Sequence, residues 1–247
     1  MTPETASDNA PAPLSEVGRI PAVFIDPKRA FADIAARPTW ILPAALLAVA
    51  ALAFTYIYST RIGWDHYFRQ IAETNAKMQQ MDAQQREQAI QMQVKFGPIG
   101  GYVFSIIGIP LVALIVGGVI LLMTKMAGAS LKFKQTFAIS AWAMLPGLIS
   151  SILAIVVMFL KNPDDFNLQN PLAFNLAAFL EPPPNTGKFI YTLAKSFDLF
   201  TIWMILLLAV GISVAARKIS FTKAVILVAA PWLIWVLISS GLAGMMG

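Results

Sequence analysis

Few side chains in this chain have types and spacings suited to chemistry. His66 is the sole histidine and there is no cysteine, so a zinc centre, a thiolate nucleophile or a His-based triad has too few members to assemble. The missing cysteines also exclude disulfides, and they leave the redox compartment open. Asp198 is the acid closest to an apolar stretch, with Lys195 three residues before it, which a continuous helix sets on one face. An ionisable group in a membrane is costly and marks an ion or proton path, so Asp198 is a candidate relay. The competing reading is structural, a pair with Lys195 or a contact to another helix near the membrane surface, because Asp198 to Arg217 spans about 28 Å of helix. His66, flanked by Trp64 and Tyr67, is either a pH sensor or a loop histidine without a role. Gly187-Lys188 superficially resembles a phosphate loop, but no upstream glycine has the spacing and no strand precedes it. Without a nucleophile-base pair the expectation is a protein that is not an enzyme and needs no cofactor or metal.

The elements that must hold these residues are dictated by composition. Of 247 residues 57% are hydrophobic and 13% charged, with mean hydropathy +0.68, against about a quarter charged in soluble domains. The apolar residues fall in blocks long enough to cross the roughly 30 Å hydrocarbon core, which predicts an all-α, polytopic membrane bundle. Five spans are expected, at about 39–60, 99–124, 136–160, 197–216 and 224–244. No span centre carries Asp, Lys or Arg, each of which costs about 2.5 to 3.5 kcal/mol there.

Outside the spans, residues 1–18 are rich in Pro, Ala, Ser and acids and read as a disordered tail. Residues 19–37 read as an amphipathic juxtamembrane segment lying at the membrane surface, with Asp26 capping a helix that starts at Pro27 and with Phe31 and Ile34 on one face. Residues 38–247 form the membrane domain. Gly97-Pro98 predicts a turn into the second span. The stretch 64–95, polar and rich in Gln and Met, predicts an extramembrane helical loop. In the proline-rich connection 161–188, Leu172 to Leu180 is too short to span and predicts a short interfacial or re-entrant helix.

Charge sets the direction. The loop Lys125 to Lys134 holds three lysines, and Arg217 to Lys223 holds Arg217, Lys218 and Lys223; the positive-inside rule puts both in the cytoplasm, with the N-terminus inside and the C-terminus outside. The net charge of +5 is then a topology signal and a match for anionic lipid headgroups, and no nucleic acid is expected. Small residues at four-residue spacing, among them Gly101, Ser105, Ala113 and Gly117, let helices approach closely, within the monomer or between copies of a homo-oligomer. Pro110, Pro146 and Pro231 are expected to kink their spans, or to mark broken helices around a substrate site. Trp203, with Trp40, Trp142, Trp232 and Trp235, fits an aromatic belt.

Three stretches together carry a family resemblance: Phe24, Pro27, Phe31, Ile34, Pro38, Trp40 and Pro43; Phe137, Ala141, Pro146 and Gly147; and Asp198, Phe200, Trp203, Leu206 to Leu208, Gly211, Ser220 and Lys223. Over roughly Phe24 to Leu242 they resemble the Yip family, the Ypt/Rab-interacting proteins with five membrane spans, and in particular its bacterial members. The resemblance implies a helical membrane bundle with a cytoplasmic N-terminus, in the bacterial cytoplasmic membrane, with lipids and other membrane proteins as partners. Eukaryotic members are associated with Rab-type GTPases and carry an acidic Asp-Leu-Tyr-Gly-Pro type stretch before the first span. Here Ala36-Arg37-Pro38-Thr39-Trp40 stands in its place, so GTPase binding is not carried over. The expected role is a scaffold or organiser, the alternative a transporter or channel subunit.

Overall fold

The computed structural model describes residues 12–183 and 185–245. Ser15 starts the first helix, α1 (Glu16–Ile25), by accepting the Gly18 N–H at 3.0 Å. The helical chain therefore begins inside the segment expected to be tail, because one capping serine outweighs the polar composition around it; residues 1–11 of that tail lie outside the described residues. Asp26 ends α1 and caps α2 (Pro27–Ala36) by accepting the Arg29 N–H at 3.2 Å. The two helices do not simply rest at a surface. Val23, Ala30, Phe31 and Ile34 are fully buried in the main core, and α2 packs on two of the later apolar helices.

Four helical stretches are long and apolar enough to cross a membrane: α3 (Ile41–Arg61), α6 (Ala83–Met126), Phe133–Leu160, and α11 (Phe221–Met245). A shorter apolar helix, α10 (Leu199–Ala215), has 17 residues, about 25 Å at helical rise. The chain is thus a multi-pass membrane bundle, and its described residues contain no β-strand beyond one isolated bridge. Between α3 and α6 lie α4 (Trp64–Thr74) and α5 (Ala76–Gln79).

Two proline predictions are corrected. Helix α6 runs unbroken for 44 residues, straight through Gly97 and Pro98, so no turn separates loop from span. Gly97 gives room to the Phe68 ring of α4, which a Cβ there would meet at 2.3 Å unless the ring shifted. In the third crossing, Pro146 does not kink one helix. It heads a new one: α7 (Phe133–Ala143) ends, Met144-Leu145 turns, and α8 (Pro146–Leu160) starts with Pro146 at its first position, where the missing N–H costs nothing.

The ends of the bundle follow from contacts. Arg61 Nε donates to the Met158 carbonyl at 2.8 Å and its guanidinium lies 4.9 Å from the Phe159 ring, which puts the ends of α3 and α8 together with the 64–95 helices at one end, the loop end. The opposite, lysine-rich end holds the turns 127–132 and 216–220. The main core joins α1, α2, α6, α7, α10 and α11.

Candidate functional site

A buried polar arrangement around Arg19 was not foreseen from sequence. Arg19 is 2% exposed. Its Nε donates to Asp33 Oδ2 at 2.6 Å, and its terminal nitrogens donate to Thr39 Oγ1 at 2.7 Å and to the Arg37 carbonyl at 3.1 Å. The Trp142 ring centroid lies 5.9 Å from the guanidinium, while Trp142 Nε1 donates to the Thr39 carbonyl at 2.8 Å. Asp33 Oδ1 accepts from the Leu14 N–H at 3.2 Å and from Arg37. Burial pushes the Asp33 carboxyl up, but the hydrogen bonds from Arg37 and Arg19 and the Arg19 charge outweigh it and hold the group below the usual carboxylate range. Arg19 spends its donors inside the protein. The cluster is a latch that ties α1, α2, the start of α3 and the end of α7, not a site for an external anion.

At the loop end, a polar cleft of about 480 Å³ is lined by Asp65, His66, Arg69, Glu73 and Asp164 among others. Arg69 donates to Asp65 at 2.7 Å and to both Glu87 oxygens at 2.9 Å; those bonds, with help from Gln91, pull the Glu87 carboxyl down to about 2. His66 is half-buried, and its Nε2 is buried with no hydrogen-bond partner. Among the described residues no group of three or more His, Cys, Asp and Glu side chains could hold a metal ion.

The residues singled out by sequence are spread over the bundle. Lys195 and Asp198 do not share a helix face. Lys195 sits in the last turn of α9 (Lys188–Ser196), whose C-cap is Phe197, and Asp198 is the N-cap of the next helix, α10. Asp198 accepts the N–H groups of Phe200 and Thr201 at 2.9 and 3.0 Å and the Thr201 hydroxyl. No ion pair joins it to Lys195 among the described residues. With its carboxylate accepting the first N–H groups of α10, Asp198 starts a new helix instead of continuing α9. Trp203 packs edge-on against Phe24 at 5.4 Å between ring centroids. Pro146 is buried at the start of α8. Gly117 lies where α6 meets the α7 backbone, since a Cβ there would stand 2.9 Å from Phe137 Cα. The stretch Leu172 to Leu180 forms only a 3-10 turn, Leu176–Phe179, and α9 was not anticipated.

Sequence reasoning missed Arg19, Asp33 and Thr39. The readable signal was Asp33 with Arg37 at i,i+4; nothing in the spacing pointed Arg19 toward them. A family model described as Yip1 domain matches residues 22–243. No curated protein and no solved structure matches the chain.

Proposed function

This chain belongs to the Yip1-domain family of membrane proteins, and from this we propose that it is a non-enzymatic scaffold or organiser of a bacterial cytoplasmic membrane, acting through lateral contacts with lipids and other membrane proteins. The observation that carries this reading is the family match over residues 22–243. It is supported by the way the polar groups are used: the Arg19 latch and the Asp198 cap are consumed by the fold's own backbone and side chains. The described residues also expose a broad apolar flank. Ile106, Ile107 and Leu114 on α6, and Ile234, Trp235 and Ile238 on α11, are all exposed, as expected of helices that meet acyl chains or other helices. Purification in native lipid followed by mass spectrometry is expected to recover a reproducible membrane-protein partner, and repeated isolation of this chain alone overturns the reading.

One observation favours a second reading, a transporter or channel subunit. Helices α9 and α10 meet at a break whose N-cap is a carboxylate, and discontinuous helices are how many transporters build ion and substrate sites. Reconstituted vesicles should then show a solute flux that Asp198→Asn abolishes; vesicles tight to every ion and metabolite class tested eliminate it.

A further inference from the structure

Helix α10, at 17 residues and about 25 Å, is shorter than the roughly 30 Å hydrocarbon core, and the contacts around it show where further length lies. Gly211 faces Ile139 of α7 across a gap that a Cβ would close to 2.5 Å. Because α10 runs antiparallel to α7 and α8, its first residue, Leu199, comes level with the first half of α8, about 13 Å short of the loop end marked by Leu160. Helix α11 gives the same answer independently. The Phe189 backbone, at the start of α9, lies against Gly244, while the Phe197 ring, at its end, meets Trp232 at 5.2 Å. So α9, 9 residues and about 13 Å long, runs alongside α11 from the loop end toward Trp232, and α10 continues from there.

The backbone groups released at the break are taken up by the connection that precedes α9. The Leu199 N–H donates to the Phe174 carbonyl at 3.0 Å, Asn175 bridges to Asp198, and the Phe174 ring packs on Phe200 at 6.1 Å. Non-helical backbone at membrane depth survives only when protein satisfies it in this way. The connection and α9 then turn outward a set of large apolar side chains. Phe179 is 86% exposed, and Phe174, Leu176, Phe189 and Ile190 are all more than 40% exposed. This surface is continuous with the exposed outer half of α11, where Trp235, Ile238, Leu242 and Met245 stand free.

We propose that α9 and α10 together form one discontinuous membrane crossing, and that α9 with the segment 174–180 is a re-entrant unit whose apolar face is covered by the acyl chains of the leaflet at the loop end. Lipid is the occupant because the face adjoins the exposed apolar flank of α11, where Phe189 lies against Gly244, and because between Leu172 and Leu180 there is no charged residue to hold it in water. The inference goes beyond the scaffold reading and needs only that the bundle is inserted.

The absence of cysteine makes the test direct. Single nitroxide labels are placed at Phe179→Cys and Ile190→Cys, with Ile238→Cys on α11 as the lipid reference and Gln88→Cys on the extramembrane part of α6 as the water reference. The full chain is studied in nanodiscs of phosphatidylcholine and phosphatidylglycerol. The ratio of oxygen to nickel-chelate accessibility at positions 179 and 190 is expected to match Ile238→Cys and to exceed Gln88→Cys several-fold. A ratio equal to that of Gln88→Cys shows an aqueous face and overturns the proposal. So does an immobilised label shielded from both reagents, which would mean a second copy of the chain covers the patch. No partner protein enters the readout, so the scaffold reading can fail while this one stands.

Discussion

Asp33 is the residue on which the N-terminal latch turns, because it faces two arginines, one of them almost without solvent. Removing one partner of a buried ion pair leaves the other charge uncompensated, at a cost of about 3 to 5 kcal/mol. Asp33→Ala is therefore expected to lower the thermal midpoint in detergent by far more than a substitution at exposed Asp26, where the loss is confined to a helix cap. The same group sets a pH response. Its folded pKa is lowered, so its contribution to stability is complete above the ordinary carboxylate pKa, about 4, and is lost as pH falls through the lower folded value. Thermal midpoints measured down through pH 4 should drop more steeply in the wild type than in Asp33→Ala; parallel curves would show that the latch holds nothing. Of this cluster only the Asp33–Arg37 spacing could be read in advance. Nothing in local spacing marks Arg19, since its partners Asp33, Thr39 and Trp142 come from three different parts of the chain.

At the scale of elements, close approach and capping separate helices that look alike in hydropathy. Gly117 and Gly118 are neighbours in α6, yet a Cβ meets the Phe137 backbone at the first and nothing within 4 Å at the second. Gly117→Val is expected to force α6 from α7 at a cost of about 1 to 3 kcal/mol. Gly118→Ala should be neutral or slightly stabilising, and equal midpoints for the two variants would refute the close contact. Asp198 offers a sharper comparison. Asparagine caps helices about as well as aspartate, whereas alanine costs about 0.5 to 2 kcal/mol. If capping is the whole role, Asp198→Asn keeps wild-type stability and Asp198→Ala loses this amount in the same unfolding assay. The prolines were visible in the sequence, but their effects were not: Pro98 is tolerated within α6, and Pro146 begins α8. A proline fixes its own φ and removes one donor, and whether a helix ends there depends on what packs beside it.

For the whole molecule, the lysines of 125–134 and the cations of 217–223 predict that both turns face the cytoplasm. A reporter active only outside the cytoplasm, fused after Gly247, should be active, and one active only inside should be silent; the reverse result inverts the bundle. By itself the sequence determined the solvent, the all-α class and the approximate places of the apolar helices, because removing a backbone from water demands long, uncharged, internally bonded segments that composition alone reveals. It also determined the cap at Asp26, since a short polar side chain followed by proline acts within one turn. Only the tertiary structure decided that α1 and α2 enter the core, that Arg19 finds Asp33, Thr39 and Trp142, and that α9 descends beside α11 to meet the break at Asp198. Those outcomes depend on contacts between elements far apart in the chain, and neither local spacing nor hydropathy encodes which distant neighbour arrives.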